Sequence, residues 1–415
     1  GLVLGGGGAR GSAHVGVLKV LEELHISIDY IAGNSMGAIV GGLYASGMTP
    51  EEIGRELQTI DWDDTFVDEP PRADRSYRRK LDDNLYMVKP KLGFSDGEVK
   101  TPLAYIHGQK FDLQLSRLTL RAADIHDFDK LPIPFRAVAT DLETGQAVVL
   151  KSGELSRAIR ASMAVPGAFD PVEIDGRLLV DGLVSNNVPV NVARDMGADI
   201  VIVVDVGSGL YSRDQIRGAL DVVAQLSNIL SERNVEQQLA TLKPADILIK
   251  PQLGDLGSGD FNRAGEGIKI GEQAAREQLA ALQQLSVDSG QYRQFEARQE
   301  VADRVPIIDF IRLDNQSRIG DATILSYISL QPGQALNSAQ LDKEINGIYG
   351  LGVFQTVRYE VLEEGDKTGM ILHVREKSWG PNYLQFGIEL SSDFDNESSY
   401  NLGVLYTRTA INSLN

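Results

Sequence analysis

The chain opens on the stretch LVLGGGGARG, residues 2–11, in which a short apolar segment runs directly into four consecutive glycines. The apolar residues Leu2–Leu4 are typical of a buried strand, and the following segment Val15–Leu24 has the spacing of a helix. Glycines allow the backbone to turn sharply and leave successive N–H groups unshielded. With a helix N-terminus behind them, such groups stabilise negative charge. The stretch therefore predicts either a cradle for a phosphate or a site for an oxyanion.

A dinucleotide site is one interpretation of these glycines, because Gly6, Gly8 and Gly11 satisfy the pattern G-x-G-x-x-G. In such a site the second strand ends in an acidic residue that binds the ribose. Here the second apolar segment, Tyr30–Ala32, is followed instead by the sequence GNSMG, residues 33–37. We therefore favour the oxyanion interpretation and keep a nucleotide- or anion-binding module as the alternative.

The sequence GNSMG matches the pattern G-x-S-x-G of a nucleophile elbow, which places a serine between a strand and a helix. Gly33 and Gly37 give the room that a strained turn around Ser35 needs. The hydroxyl of Ser35 is then held at the edge of the sheet, and the N–H of Met36 can face a developing oxyanion. A chance match is the alternative, but the glycine-rich loop shortly before it makes chance less favoured.

A serine nucleophile needs a base, and the sequence favours a carboxylate for this role. The chain has five histidines: His14, His25, His107, His126 and His373. In α/β-hydrolases the histidine follows the acid late in the same domain, whereas His373 falls in a later module. The segment LLVDG, residues 178–182, instead puts Asp181 at the end of an apolar strand. Strand ends meet at the crevice of an open parallel sheet, so Asp181 can reach Ser35, although a capping role is the simpler alternative.

The composition excludes several classes of function. The net charge of −18 and the pI near 4.8 argue against a general nucleic-acid binder, which needs clustered Lys and Arg. The absence of Cys removes disulfides, thiolate metal sites and Cys nucleophiles. We find no metal-ligand spacing and expect no metal or cofactor. No run of about 18 apolar residues predicts a transmembrane helix.

The 415 residues predict two or three domains. In the first two thirds, strand-like and helical segments alternate, which predicts an α/β fold with a mainly parallel sheet and flanking helices. Its further strands are predicted at Phe135–Thr140, Gln146–Leu150, Leu178–Val180 and Ile200–Asp205. We predict a domain over residues 1–290 and a polar linker over 291–304. A cut that releases the domain is expected within the polar stretch Ser286–Arg304.

The remainder of the chain has a different pattern. Residues 305–378 follow the order β-α-α-β-β, which predicts a separate α+β module. In residues 379–415, two segments alternate apolar and polar side chains around a polar turn. Such alternation is typical of the lipid-facing strands of an outer-membrane barrel, and an ordinary antiparallel hairpin is the alternative.

Three motifs in this order resemble the patatin family of lipid acyl hydrolases. The family uses G-G-G-x-[KR]-G, G-x-S-x-G and D-G-[GA] for the oxyanion hole, nucleophile and base. Residues 6–11 match the first motif and residues 33–37 the second, whereas Leu183 replaces the small third residue of the motif that begins at Asp181. The segment 160–169 also resembles the stretch that precedes the family's Asp. The resemblance covers roughly residues 1–290.

This resemblance implies a carboxylic ester hydrolase, a patatin-like phospholipase that acts on phospholipid or glycerolipid at a membrane surface. It implies a catalytic dyad of Ser35 and Asp181. It also implies an oxyanion hole and a nucleophile elbow, whose residues are respectively Gly6, Gly7, Gly8 and Arg10, and Gly33, Met36 and Gly37. The oligomeric state stays open, with a homodimer among the options.

Residues 305–377 resemble a POTRA module, the periplasmic domain that precedes outer-membrane transport barrels. The signals are NGIY at residues 346–349, GVF at residues 352–354, and Val357. Together with the tail, this order resembles type V autotransporter phospholipases of the PlpD kind. The resemblance implies a secreted hydrolase domain, a transport region in the periplasm and outer membrane, and a barrel of which this chain holds only the first strands. An outer-membrane assembly protein with a non-catalytic first domain is the remaining alternative.

Overall fold

The computed structural model describes residues 1–75, 80, 92–95, 97–301, 305–392, 398–409 and 411. The chain forms two compact units. The first comprises Gly1–Phe66 and Gln114–Arg304, and the second comprises Val67–Leu113 and Val305–Asn415. Residues 67–113 therefore interrupt the predicted first domain and group with the C-terminal part of the chain.

The described strands, in chain order, are β1 (Leu2–Leu4), β2 (Ile31–Asn34), β3 (Leu92–Ser95), β4 (Glu98–Lys100), β5 (Phe135–Asp141), β6 (Ala147–Leu150), β7 (Val172–Ile174), β8 (Arg177–Asp181), β9 (Ile202–Val204), β10 (Ile247–Ile249), β11 (Ile307–Ile308), β12 (Phe310–Gln316), β13 (Gln334–Ala335), β14 (Phe354–Glu364), β15 (Lys367–Glu376), β16 (Asn382–Ser392) and β17 (Ser398–Arg408). The described helices are α1 (Ala13–Glu23), α2 (Met36–Ala45), α3 (Pro50–Thr59), α4 (Trp62–Thr65), α5 (Gln109–Leu118), α6 (Leu155–Ser162), α7 (Val190–Asp195), α8 (Ala219–Leu239), α9 (Ala264–Glu277), α10 (Leu279–Leu282), α11 (Ser289–Gln299), α12 (Asp321–Leu325) and α13 (Ser338–Tyr349).

One eight-stranded sheet forms the centre of the first unit. Its strand order is β10-β9-β1-β2-β5-β8-β7, and β6 pairs with β5. Strands β10, β9, β1, β2 and β5 run parallel, whereas β6, β7 and β8 run antiparallel to their neighbours. The prediction of an α/β fold with a mainly parallel sheet is confirmed.

Both faces of the central strands are covered, which explains their continuous apolar sequences. Val3 and Ala32 belong to a buried cluster with Val190 of α7 on one face. On the other face, α2 approaches so closely that a Cβ at Gly41 would lie 2.9 Å from Ile31 Cγ2 and 3.3 Å from Leu4 Cδ1. The edge of this layered core carries the polar residues of the candidate site.

The direction of β8 differs from the prediction. Asp181 was expected to end a strand parallel to its neighbours, but β8 runs antiparallel to β5. The pairing register still brings Asp181 close to Asn34, the residue before Ser35, because Asp181 pairs with Ala139 of β5 while Asn34 pairs with Val138. Asp181 therefore lies one residue beyond Asn34 along β5. Its pairing register on β5 places it there, although β8 and β2 do not run in the same direction.

The segment predicted as a linker, residues 291–304, is largely helical. Helix α11 covers Ser289–Gln299, and Asp288 caps it by accepting from the amides of Gly290 and Gln291. Tyr292 and Phe295 are buried, and the ring of Tyr292 stacks on that of His25 at 4.6 Å between centroids. Residues 302–304 lie outside the described part.

The second unit contains the order of elements predicted for residues 305–378. A three-stranded sheet has the order β12-β15-β14, with β12 parallel and β14 antiparallel to β15. Helices α12 and α13 lie between β12 and β14 in sequence. Alternate residues of the two long strands, such as Val357, Tyr359, Leu372 and Val374, form its buried face.

The C-terminal segments form an antiparallel hairpin of β16 and β17. Phe386 pairs with Val404, and Leu384 pairs with Tyr406. Phe386, Val404 and Tyr406 are each at least half exposed, so apolar side chains cover a solvent-facing surface of the hairpin. Residues 393–397 of the predicted turn and residues 410 and 412–415 lie outside the described part. Among the described residues, no helix has both the length and the apolar character needed to cross a membrane.

Candidate functional site

Ser35 occupies a strained turn between β2 and α2. Its backbone angles are φ 53° and ψ −123°, in the left-handed half of conformational space that side-chain-bearing residues rarely adopt. Such a conformation costs on the order of 1–3 kcal/mol and persists only where the surroundings impose it. This is the backbone geometry expected of a nucleophile elbow.

The two glycines of the pentad are required by close backbone contacts. A Cβ at Gly33 would lie 2.5 Å from the carbonyl oxygen of Gly37. A Cβ at Gly37 would lie 2.1 Å from the carbonyl oxygen of Leu4. Both distances are far inside van der Waals contact, so a larger residue at either position would push α2 away from the sheet. The pattern G-x-S-x-G is therefore set by packing on both sides of Ser35.

Ser162, the last residue of α6, holds the backbone of the turn in place. The amide of Ser35 donates to Ser162 Oγ at 2.9 Å, and Ser162 Oγ donates to the carbonyl of Val138 at 2.6 Å. Ser162 is fully buried, and Ser35 is only 6% exposed. The Ser35 side chain thus sits on a rigid, nearly enclosed support.

Asp181 is fully buried beside this turn and has two unequal carboxylate oxygens. Oδ1 accepts from the amide of Leu183 at 2.8 Å, which caps the short turn Gly182–Val184, and from Asn34 Nδ2 at 3.2 Å. Oδ2 has no hydrogen-bond partner of ordinary geometry among the described residues. Oδ1 alone therefore caps the turn, and Oδ2 is available for chemistry.

Burial raises the pKa of Asp181 to about 6, against the opposing effect of Leu183, Ser35 and Asn34, which favour the ionised form. Desolvation is the largest cause, as expected for a carboxyl group removed from water. The Ser35 side chain lies near enough to contribute to this balance. Asp181 is therefore a stronger base than an exposed aspartate and is still ionised at neutral pH.

The amides of the glycine-rich loop differ in whether they donate a hydrogen bond within the protein. The amide of Gly5 donates to Val204 O at 3.0 Å, and that of Gly6 donates to Asn187 O at 3.2 Å. Within the described part of the chain, the amides of Gly7 and Gly8 donate to no other residue. Gly8 has φ 56°, and a Cβ there would lie 2.3 Å from Ser258 O. The loop thus presents two free amides, and the close approach of Ser258 O excludes a side chain at Gly8.

Arg10 anchors the same loop through its guanidinium group. Nε donates to Val206 O at 2.9 Å, Nη1 to Leu256 O at 2.8 Å and Nη2 to Gly207 O at 3.2 Å. These carbonyls belong to two segments far away in sequence. The planar, five-donor guanidinium fits this arrangement, so Arg10 fixes the shape of the loop.

His14 also contacts the loop, and its ring is fully buried. Nε2 lies 2.8 Å from the carbonyl oxygen of Gly5, so this nitrogen carries the proton. Burial lowers the pKa of His14 to about 4, which keeps the ring neutral at neutral pH. His14 therefore supports the loop as a neutral hydrogen-bond donor.

Sequence reasoning missed three buried asparagines beneath the site. Asn34 Nδ2 donates to Asn187 Oδ1 at 2.8 Å, and Asn234 of α8 accepts from the amide of Asn187 at 2.8 Å. Asn234 also donates to the carbonyl of Leu183 at 2.9 Å. The only signal in the sequence was that Asn34 and Asn187 stand close to Ser35 and Asp181, because nothing in the pattern around Asn234 marks it.

Comparison with known proteins gives the family of this region. Residues 2–194 match the model of the family described as patatin-like phospholipase, and this span includes the glycine-rich loop, Ser35 and Asp181. The chain contains a patatin-like phospholipase domain.

Several curated relatives are similar to the chain. A patatin-like phospholipase domain-containing protein of Caenorhabditis elegans is 29% identical over 84% of this chain and 26% of its own length. An uncharacterized NTE family protein of Mycobacterium tuberculosis is 36% identical over 49% of this chain and 48% of its own. Human patatin-like phospholipase domain-containing protein 6 is 35% identical over 50% of this chain and 13% of its own. The chain thus spans about half or less of the length of these relatives.

Among solved structures, VipD from Legionella pneumophila is 15% identical, with a TM-score of 0.38 over 67% of this chain and 66% of that chain. ExoU, a type III effector protein, is 17% identical, with a TM-score of 0.31 over 69% and 53%. These similarities are too low to carry a conclusion.

The patatin-like domain departs from its family motif at Leu183, and the contacts explain why this is tolerated. The turn uses the amide of Leu183, which every residue except proline supplies, while its side chain is half-buried. The constrained residue is Gly182, where a Cβ would lie 2.3 Å from Asn34 Oδ1 and 2.7 Å from Val138 O. The tight part of the turn is therefore intact.

Proposed function

We propose that the patatin-like domain is a serine lipid acyl hydrolase, with Ser35 as the nucleophile and Asp181 as its base. One observation carries the proposal. A serine held in a strained turn lies beside a fully buried carboxylate that has one oxygen without a hydrogen-bond partner among the described residues. A strained nucleophile with an adjacent base is the usual arrangement for covalent catalysis at a carbonyl group.

In the proposed reaction, Asp181 Oδ2 accepts the proton of the Ser35 hydroxyl while Ser35 Oγ attacks the ester carbonyl. The tetrahedral intermediate that forms carries a negative charge on the former carbonyl oxygen. It collapses when the C–O bond to the alcohol breaks and Asp181 returns the proton to the leaving oxygen. Water then attacks the acyl-Ser35 ester by the same route, which releases the fatty acid and restores Ser35.

The glycine-rich loop is the proposed oxyanion hole. Of its predicted members, Gly7 and Gly8 have amides free for an oxyanion, and the amide of Met36 follows the nucleophile. Gly6 has a different role, because its amide already donates to Asn187 O. Arg10 holds the loop through three carbonyl contacts rather than by touching the substrate. Preorganised amides of this kind stabilise charge that develops in the transition state.

We infer that the substrates are phospholipids or glycerolipids at a membrane surface. The support is the family match of residues 2–194 and the similarity to two patatin-like phospholipase domain-containing proteins, from Caenorhabditis elegans and human. Phospholipase A or lipase activity is the corresponding assignment.

Ester hydrolysis by four variants tests the proposal. Ser35→Ala and Asp181→Asn are each expected to lower kcat at least about a thousandfold, since the loss of one residue of a catalytic group removes most of the effect of the whole group. Ser152→Ala and Asp124→Asn change the same residue types at exposed positions and are expected to keep wild-type turnover. Wild-type turnover in either Ser35→Ala or Asp181→Asn contradicts the assignment. Tight dinucleotide binding in place of ester turnover favours the anion-binding alternative.

We also propose that the C-terminal region, residues 305–415, serves export of the hydrolase, as the resemblance to type V autotransporters implies. The β-α-α-β-β order of its central module is consistent with a POTRA domain. The exposed apolar side chains of the β16–β17 hairpin are consistent with strands that face lipid. The hydrolase is then secreted, and the transport region lies in the periplasm and outer membrane. Cell fractionation with antibodies against the hydrolase domain and against the C-terminal region tests this, and detection of both only in the cytoplasm contradicts it.

A further inference from the structure

A chain of two buried amide side chains joins the glycine-rich loop to the Asp181 turn. Asn34 Nδ2 donates to Asp181 Oδ1 at 3.2 Å and to Asn187 Oδ1 at 2.8 Å. Asn187 then holds Gly6 from both sides: its Nδ2 donates to Gly6 O at 3.3 Å, and its carbonyl accepts from Gly6 N at 3.2 Å. Asn34 is fully buried and Asn187 is 3% exposed. The proposed base and the proposed oxyanion loop are thus connected through two side chains.

Two motif glycines leave the space that this amide pair occupies. A Cβ at Gly6 would lie 2.5 Å from Asn187 Oδ1 and 2.7 Å from Asn34 Nδ2. A Cβ at Gly182 would lie 2.3 Å from Asn34 Oδ1. A side chain at Gly6 would displace both amides, and a side chain at Gly182 would displace that of Asn34. The glycines of the first and third motifs therefore accommodate the two asparagines from opposite sides.

The orientation of Asn34 is determined by its neighbours. Both partners of Nδ2 are oxygens, one on the Asp181 carboxylate and one on the Asn187 amide. A flipped amide would place Oδ1 against these two acceptors, with no proton between them. Only one orientation of Asn34 satisfies the site, so the direction of both hydrogen bonds is fixed.

We propose that Asn34 and Asn187 are positioning residues. Asn34 holds Asp181 Oδ1, so that Oδ2 is left for Ser35. Asn187 holds Gly6, so that the amides of Gly7 and Gly8 point at the same reacting carbonyl. This inference rests on the proposed hydrolase function and extends it. Burying an asparagine without hydrogen bonds is costly, and an apolar pair of similar size could fill the same space. The two amides are explained by the need to set the base and the oxyanion loop in a fixed relation.

The test is the pH profile of kcat/KM for ester hydrolysis. Asn34→Ala is expected to lower kcat/KM about 10- to 100-fold, because small misplacement of catalytic groups has effects of this size. Its acid limb is expected to move to higher pH, since Asn34 favours the ionised form of Asp181. Asn187→Ala is expected to lower kcat while its acid limb stays at the wild-type position, because Asn187 reaches Asp181 only through Asn34. The double variant is expected to lose little more activity than the less active of the two single variants, since either change interrupts the same series of hydrogen bonds.

Asn262→Ala, at an exposed position where the side chain donates only to the exposed Asp63 at 3.4 Å, is the matched control and is expected to keep the wild-type rate and profile. If Asn34→Ala does not fold, Asn34→Ser replaces it, and the same shift of the acid limb is required. An unmoved acid limb in the folded Asn34 variant, or effects of the two single variants that multiply fully, overturns the inference while Ser35→Ala is still inactive. Wild-type turnover in Ser35→Ala overturns the proposed function and, with it, this extension.

Discussion

Removal of the buried charge at Asp181 is expected to abolish activity and to stabilise the protein. Asp181 is fully buried, and burial raises its pKa from 3.8 to about 6. Because the pKa is higher in the folded state than in the unfolded state, the folded protein binds the proton more tightly. Stability therefore falls as pH rises from about 4 to about 6, when the buried carboxyl group ionises.

The size of this effect follows from the shift. A difference of about 2.2 pKa units, at about 1.36 kcal/mol each, is about 3 kcal/mol of destabilisation above pH 6. Asp181→Asn removes the charge and keeps an oxygen for the amides of Leu183 and Asn34. We expect the free energy of unfolding of this variant to exceed that of the wild type by about 3 kcal/mol at about pH 8. At roughly 2 °C per kcal/mol for a domain of this size, Tm rises by about 6 °C.

The assay is thermal or urea unfolding of wild type and Asp181→Asn from about pH 4 to about pH 8. The difference between them is expected to be near zero at the acid end and to grow as pH rises through about 6. Asp124→Asn, at an exposed position, is the control and is expected to show no such growth. A difference that does not change with pH, or a variant less stable than wild type at about pH 8, refutes the reasoning.

Three further outcomes are expected. Gly37→Ala places a Cβ 2.1 Å from Leu4 O and is expected to lower the free energy of unfolding by about 1–3 kcal/mol and to remove activity; urea unfolding measures this, and Gly209→Ala, which meets nothing within 4 Å, is the neutral comparison. Arg10→Lys loses the fork that reaches three carbonyls and is expected to lower kcat about tenfold with little change in KM; an unchanged kcat argues against the anchoring role. Burial, Glu51 and Glu296 raise the pKa of Glu22 to about 7, so the wild type is expected to lose stability relative to Glu22→Gln as pH rises through 7; equal pH dependence of Tm in the two proteins contradicts this.

The local parts of the site could be predicted from the sequence because each is encoded within a few residues. The glycine-rich loop between β1 and α1, the turn around Ser35 and the position of Asp181 at a strand end all follow from short patterns. Sharp turns need glycine, and buried strands need apolar residues. The structure contains each of these elements where the patterns predict them.

Features that depend on distant partners could not be predicted in this way. The antiparallel direction of β8 is set by its pairing with β5, and a five-residue strand carries no signal of direction. The buried state of Asn34 depends on contacts with Asn187 and Asp181, about 150 residues away along the chain. Asparagine is a common turn residue, so its presence beside a motif gives no indication of a buried network.

The polar stretch before the second unit is a further example. Its composition predicts a linker, yet Asp288 caps a helix there, and two aromatic residues, Tyr292 and Phe295, bury one side of it. Two apolar residues are too few to give a clear helical period. Packing against the first unit supplies the stability that the sequence pattern does not reveal.

The most direct test of the central claim is covalent labelling of the intact chain with a fluorophosphonate, followed by mass spectrometry of its peptides. We expect one equivalent of label, on Ser35, with ester hydrolysis lost in proportion to labelling. We also expect that Asp181→Asn, although folded, labels far more slowly. Label on another residue, or full loss of ester hydrolysis with Ser35 unmodified, would contradict the account.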